Sequence, residues 1–267
     1  MNRYLVIKCG GSVFNKLKPA FFKSIQKIQE EGIYSPIIVH GGGPAISKLL
    51  TKLDIPTVFH DGLRMTTQEV LDVAEMVLSG SVNKKLVANL QSSGSKAVGL
   101  SGIDGQLFKA KPINLEKLGF VGEIVSVDLS LIETLCAQGF IPVISPISAD
   151  QAGQHYNINA DQAASAIAGA LKARLCFISD VPGILIEKNG ELIRLEQVSD
   201  LEIGRLIESK KISGGMIPKV MAAVDSLRQQ VSEVVIVSGM APECLIDYTK
   251  GRQVGTKIFL EEEALHA

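Results

Sequence analysis

The sequence predicts an α/β sandwich built on parallel strands, and three observations carry that prediction. Short runs rich in Val, Ile and Leu, without polar alternation, recur along the 267 residues; such runs suit strands covered on both faces. Longer amphipathic segments separate them. Clusters of glycine follow several of the runs directly. Strand–helix alternation joins parallel strands through right-handed crossovers, and sheets of this kind bind ligands at the carboxyl ends of their strands.

The runs at residues 4–7, 36–39, 97–100, 141–144, 175–178 and 234–237 read as buried strands. Segments 56–64 and 107–127 read instead as hairpins, on the turn signals Asp61-Gly62 and Gly119. Over 68–90 apolar residues recur at 70, 74, 77, 78, 82, 86 and 90, the period of one helix, and Thr66 with Glu69 has capping-box spacing at its start. Leu71, Val73 and Leu78 put apolar surface on more than one side of that helix, enough to offer a patch to a two-fold mate. Segment 162–171 is mostly Ala and reads as a tightly buried helix, with Asp161 as either its N-cap or a site residue. Ser199 with Glu202 forms a second capping box, ahead of a helix to about residue 210. Ile217, Val220, Val224, Leu227 and Val231 trace a further amphipathic stripe. No linker, charge run or internal repeat divides the chain. A new strand–helix series starting near 173 splits one continuous domain into lobes 1–173 and 174–267.

Composition excludes several classes of function. Lys plus Arg number 27 and Asp plus Glu 28, for a net charge of -1, so there is no basic field for nucleic acid or an anionic membrane. Lys8 interrupts the apolar N-terminal run and no small-residue cleavage site follows. The uncharged stretch 134–149 carries Gln138, Gly139, Pro142 and Pro146 and is no membrane span. Cys9, Cys136, Cys176 and Cys244 stand far apart with no CxxC, as buried free thiols of a reducing compartment do. The chain reads as soluble and cytoplasmic.

The glycine clusters carry the chemistry. One strand ends in Lys8-Cys9-Gly10-Gly11-Ser12, the next in His40-Gly41-Gly42-Gly43-Pro44, with a helical pattern starting at once. Successive glycines let N–H groups converge on an anion, and a helix N-terminus adds a positive dipole end; two tight turns are the bland alternative. Lys8, at the end of a buried strand, must either snorkel or meet an anion. Lys219, in the first turn after Ser213-Gly214-Gly215, sits at the end of a helix dipole that disfavours a cation; it is either solvated or paired with phosphate. Asn157 and Asn159 share one face by alternation, and Ser179-Asp180-Val181-Pro182-Gly183 is a strand-end loop able to face a nucleotide. No G-x-x-x-x-G-K-[ST] motif occurs, the dinucleotide fingerprint fails at Ile46, and protein-kinase signatures are absent.

Taken in order, Lys8-x-Gly10-Gly11, His40-Gly41-Gly42-Gly43, Gly62-Leu63-Arg64, Asn157-x-Asn159-Ala160-Asp161, Ser179-Asp180-Val181-x-Gly183 and Gly214-Gly215-Met216-x-x-Lys219 resemble the amino-acid kinase family over nearly the whole chain. The resemblance implies a three-layer α/β/α sandwich around a mainly parallel sheet, with lobe 1–173 for the acidic substrate and dimerisation and lobe 174–267 for ATP. It implies N-acetyl-L-glutamate as acceptor and ATP as donor, with Mg²⁺ held mainly through the nucleotide phosphates and no residue assigned as a metal ligand. Lys8 and Lys219 would stabilise the transferring phosphoryl group and Asp161 would orient them. Gly10 and Gly11 would bind phosphate, Gly41 and Gly42 would offer amides near the acceptor, and Arg64, Asn157 and Asn159 would hold the substrate. Asp180, Gly183, Lys211, Ile212, Ser213 and Gly214 would line the nucleotide. Position 9 departs from the pattern, with Cys where an aliphatic residue is usual.

The chemistry agrees with that expectation. A carboxylate acceptor, with a reference pKa of about 4.3, is already ionised at neutral pH and needs no general base. The obstacle is an anion approaching a polyanion, which two lysines, convergent amides and Mg²⁺ would relieve. Within the resemblance the chain is further expected to be a homodimer insensitive to arginine, because its first strand starts near Met1 without a preceding helix and 249–256 departs from the pattern of sensitive members. Rival readings are a sister kinase acting on carrier-linked aminoadipate, a nicotinamide-dependent oxidoreductase, and a non-catalytic sensor.

Overall fold

The structure, a computed structural model, describes residues 3–188 and 190–261. The chain opens with β1 (Arg3–Cys9), the single turn α1 (Gly11–Phe14), α2 (Pro19–Glu30), β2 (Tyr34–His40) and α3 (Gly43–Lys52). The hairpin of β3 (Phe59–His60) and β4 (Leu63–Arg64) follows, turning on Asp61 and Gly62 with φ of 49° and 79°. Two successive positive φ values are what a two-residue hairpin loop of matching twist demands. Next come α4 (Gln68–Glu75), a π-helical stretch at Met76–Val82, α5 (Asn83–Ser92) and β5 (Ala97–Ser101). β6 (Phe108–Pro112), α6 (Leu115–Leu118), β7 (Val121–Val127), α7 (Ser130–Ala137), β8 (Ile141–Ser145), β9 (Ile147–Ala149), β10 (His155–Ile158) and α8 (Ala160–Ala170) complete this half. Then come β11 (Arg174–Ser179), β12 (Leu185–Lys188), β13 (Glu191–Arg194), β14 (Gln197–Ser199), α9 (Asp200–Glu208), α10 (Met216–Arg228), β15 (Glu233–Ser238), α11 (Glu243–Thr249) and β16 (Thr256–Phe259).

All six apolar runs are strands of one eight-stranded sheet in the order β14-β16-β15-β11-β1-β2-β8-β5. Every pairing in it is parallel except β15 with β16. Side chains alternate between the faces. Val6, Ile37, Val39, Phe177 and Ile236 join one core with α8 and α10, while Leu5, Ile7, Ile38, Cys176 and Val235 join the other with α2 and α5. The result is the expected three-layer α/β/α sandwich. The sheet runs on without a break from β1 to β11, across residue 173. β6, β7, β9 and β10 close into a small barrel at the end of the sheet, of which the sequence predicted only the β6–β7 hairpin. No helix among the described residues is long and apolar enough to cross a membrane.

Several expected details are corrected. The helix over 68–90 is interrupted by the π-helical stretch rather than continuous. Its N-cap is Thr67, whose hydroxyl accepts from the Val70 N–H at 3.3 Å, not Thr66. Thr66 is drawn into a bridge, its amide donating to Leu118 O at 2.9 Å and its hydroxyl to Arg64 O at 2.8 Å. Leu71, Val73 and Leu78 are all buried, so they are core rather than patch; the exposed apolar residue of this region is Met76, 58% accessible. The Ser199 cap stands as expected, accepting from Glu202 N–H at 3.1 Å.

Candidate active site

β1 and β2 are parallel neighbours with Cys9 opposite His40, so their glycine clusters leave the sheet side by side. The approach is close enough that a Cβ on Gly11 would lie 2.8 Å from Gly42 Cα, a distance no side chain tolerates. Gly42 caps α3, with Pro44 in its first turn. Helix starts leave their first N–H groups without intrahelical acceptors, and the amides of Gly42, beside Gly11, and of Gly43 have no backbone acceptor among the described residues. Gly41 differs from expectation: its N–H donates to Cys9 O at 3.0 Å and is not free for a ligand.

A charged cluster stands beside these amides. Lys8 Nζ lies 2.6 Å from Asp161 Oδ1, the two side chains being 12% and 24% exposed. The buried lysine therefore meets an anion instead of snorkelling. Asp161 is available because it is not the helix cap. Asn159 caps α8, its side-chain oxygen accepting from the Asp161 N–H at 2.7 Å and the Gln162 N–H at 3.3 Å. Asn159 thus has a structural duty beside any contact with ligand. Lys219, in the first turn of α10, donates to Ser179 Oγ at 2.8 Å. Burial pushes its pKa below the ordinary lysine value and the Lys8 charge adds to that, while Asp180 and Asp161 oppose both. Asp161 pairs with Lys8 and Asp180 with Lys16, so Lys219 has no ion pair of its own among the described residues, and the positive surplus suits an anion.

A small cleft of about 170 Å³ adjoins the cluster, lined by Gly42, Arg64, Leu78, Asn157 and Asn159 among others. Arg64 is held rigidly. Its guanidinium stacks 4.7 Å over the Phe59 ring, and Nη2 donates to Gly43 O at 3.2 Å and Ser47 Oγ at 2.8 Å. Its Nη1 is buried with no hydrogen-bond partner among the described residues. A buried guanidinium nitrogen left unpaired is costly unless a ligand completes it. Asn157 Nδ2 donates to Thr66 Oγ1 at 3.3 Å, which orients the amide.

The residues expected at the nucleotide are spread over two loops. Ser179 to Gly183 leave the end of β11, and the Lys219–Ser179 bond ties this loop to α10. Asp180 pairs with Lys16 at 2.7 Å, and that hydrogen bond holds its carboxyl below the usual range. Gly183 adopts a φ of 149°, and a Cβ there would meet Thr256 Oγ1 at 2.5 Å, so packing against β16 alone accounts for the glycine. Lys211 and Ser213–Gly214 lie between α9 and α10. The Ile212 side chain is buried in the core and its N–H donates to Leu206 O at 3.0 Å, so it faces this loop through its carbonyl.

Two polar residues without an expected role also sit here, His40 and Asn83, both fully buried and 3.2 Å apart. Their signals were a histidine directly before three glycines and an amide inside an otherwise apolar helical stripe. Convergent amides, paired cations and a small cleft with an unpaired guanidinium together make a site for passing a phosphoryl group to a small anionic acceptor.

The comparisons agree with that class. The amino acid kinase family matches residues 3–238. An acetylglutamate kinase of Geobacillus sp. (strain WCH70) is 50% identical over 259 residues, 97% of each chain. One from Geobacillus kaustophilus is 52% identical over 240 residues, covering 90% of this chain and 91% of that one. The crystal structure of smu.665 from Streptococcus mutans UA159 superposes with a TM-score of 0.83 at 28% identity, covering 98% of this chain and all of that one. The chain belongs to the amino acid kinase family.

Proposed function

We infer that this chain is an acetylglutamate kinase: it transfers the γ-phosphoryl group of ATP to the side-chain carboxylate of N-acetyl-L-glutamate, giving N-acetylglutamyl 5-phosphate and ADP, a step of arginine biosynthesis. Identity near 50% over almost the full length of curated acetylglutamate kinases supports the substrate over a carrier-linked aminoadipate. The observation that carries the chemistry is the Lys8–Asp161 pair beside a cleft whose Arg64 keeps one buried nitrogen unpaired.

In this reading Arg64 Nη1 and the Asn157 amide hold the substrate's α-carboxylate, with Asn159 at the same wall. Arg64 gains specificity from geometry, since a guanidinium fork matches a carboxylate. Gly10, Gly11 and Gly42 surround the phosphoryl group in flight. Lys8 and Lys219 neutralise the charge on it, and Asp161 holds the lysines in place. The loops at Asp180, Gly183 and 211–214 receive ATP, which enters with Mg²⁺ carried mainly on its phosphates. Lobe 1–173 then serves the acidic substrate and lobe 174–267 the nucleotide, in the cytoplasm. ADP release requiring both ATP and N-acetyl-L-glutamate tests the activity, and Arg64→Ala should raise KM for the acid at least about tenfold with KM for ATP little changed. Equal effects on both KM values would remove Arg64 from the acid site; release driven equally by NAD-linked or aminoadipate substrates would overturn the reaction.

Further, the protein is proposed to be a homodimer that arginine does not inhibit. The family resemblance and the exposed Met76 support the first half, the divergent 249–256 stretch the second. Light scattering should report twice the chain mass, and the assay should hold constant across millimolar arginine. A hexamer or a graded loss of rate would contradict this.

A further inference from the structure

Gly41 is bound on both sides. Its N–H donates to Cys9 O at 3.0 Å, and its carbonyl lies 3.2 Å from His40 Nδ1. The other ring nitrogen of His40, Nε2, is 3.2 Å from Asn83 Nδ2. Three contacts fix which way the Asn83 amide points. Val143 O at 2.8 Å and Leu100 O at 3.3 Å can only accept, so they face the NH₂, and Lys84 Nζ, which can only donate, lies 3.2 Å from Oδ1. An NH₂ group facing Nε2 makes that nitrogen an acceptor, and the ring proton therefore sits on Nδ1, donated to Gly41 O. The ring is neutral as well as fixed: burial pushes its pKa down to about 4.

Across a trans peptide the carbonyl of one residue and the N–H of the next point in opposite directions. Holding the Gly41 carbonyl against the ring therefore turns the Gly42 N–H the other way. Gly11 is close by: the Gly42 nitrogen is 3.0 Å from the point where a Gly11 side chain would begin. Glycine residues on both sides give this peptide unusual freedom to rotate. A flipped peptide would aim a carbonyl oxygen, a negative dipole end, at the phosphoryl group.

We propose that His40, oriented by Asn83, is a positioning residue that locks the Gly41–Gly42 peptide so that the Gly42 N–H stays aimed at the phosphoryl group in transfer. The proposal rests on the phosphoryl-transfer reading above. It also explains the placing of two buried polar side chains, at the end of β2 and within the helical layer, that are not among the residues lining the cleft.

The test compares His40→Leu, which fills the space but removes the donor, with His40→Asn, whose amide nitrogen can stand where Nδ1 does. His40→Leu should lose about 10–100-fold in kcat, the scale of one amide donor to a reacting oxyanion, with both KM values within about threefold. His40→Asn should recover most of that loss. A Leu variant with wild-type kcat overturns the proposal, as does an Asn variant equally slow at equal melting temperature. Should the Leu variant not fold, His40→Asn decides: kcat within about fivefold of wild type supports the proposal, and a folded variant slower than that overturns it. ¹⁵N spectra of the wild-type imidazole give a reading independent of turnover, with the proton expected on Nδ1. A proton on Nε2 overturns the proposal even if acetylglutamate-dependent ADP release is normal. Absence of that release in wild type, with the proton on Nδ1, would count against the activity and leave the lock standing.

Discussion

Lys8→Ala and Lys219→Ala should each lower turnover about a thousandfold while the far-ultraviolet spectrum stays that of the folded chain. The acceptor is a carboxylate and the donor a polyphosphate, so the barrier is largely repulsion between like charges. At ~4 Å and an effective dielectric of ~20 one unit-charge pair amounts to about 4 kcal/mol. Removing one cation restores roughly that much, and at about 1.4 kcal/mol per decade it corresponds to three orders of magnitude. The loss should fall on kcat more than on KM, because the charge to be neutralised is greatest in the transition state. The two variants also differ in a useful way. Lys219→Ala leaves the 2.6 Å Lys8–Asp161 pair intact, so its fold is the less perturbed of the two. Steady-state rates near wild type in either variant would take that lysine out of the mechanism.

Asp161→Asn should cost about 10–100-fold in kcat and move the alkaline limb of the pH–rate profile to lower pH. The amide keeps the shape but neither anchors Lys8 as an anion nor offsets the repulsion between two cations. The sign of the pH effect follows from Lys219. It acts only while charged, below its pKa, and that pKa is already lowered by burial and by Lys8, with Asp180 and Asp161 pulling it back up. Deleting the Asp161 charge removes one of the two restraints, so Lys219 loses its proton at a lower pH than before. A full pH–rate profile of the variant checks this. An alkaline limb left in place, or moved upward, would show that Asp161 does not govern the charge of Lys219.

The legibility of this protein varied with the range of the interaction concerned. Buried parallel strands leave a local mark, continuous Val, Ile and Leu, and all six such runs proved to be sheet strands. The Asp61-Gly62 hairpin was equally plain, because its backbone conformation selects its residues. Caps were less so. Thr66 and Thr67 are chemically equivalent candidates, and Thr67 caps the helix while the Thr66 hydroxyl is committed to Arg64 O and Asn157. The π-helical stretch at Met76–Val82 was invisible, since its apolar pattern fits an ordinary helix. Leu71, Val73 and Leu78 read as spare surface and are buried, because a helix covered by neighbours on several sides has the same sequence as one with a free face.

Within the site, the sequence alone established that glycine clusters and lysines stand at strand and helix ends, and the order of its motifs placed the chain near one family. Backbone conformation, periodicity and dipole conflicts are properties of neighbours in the chain, so they can be read one segment at a time. Which groups meet was settled only by the tertiary structure. Sheet order sets β1 beside β2 and brings α8 over their ends, and this hands the cap of α8 to Asn159 and frees Asp161 for Lys8. The same arrangement spends the Gly41 amide on Cys9, sinks Ile212 into the core and closes His40 against Asn83. Each outcome depends on partners far along the chain, brought together because burying both faces of one sheet leaves its strand ends as the one edge where polar groups can gather.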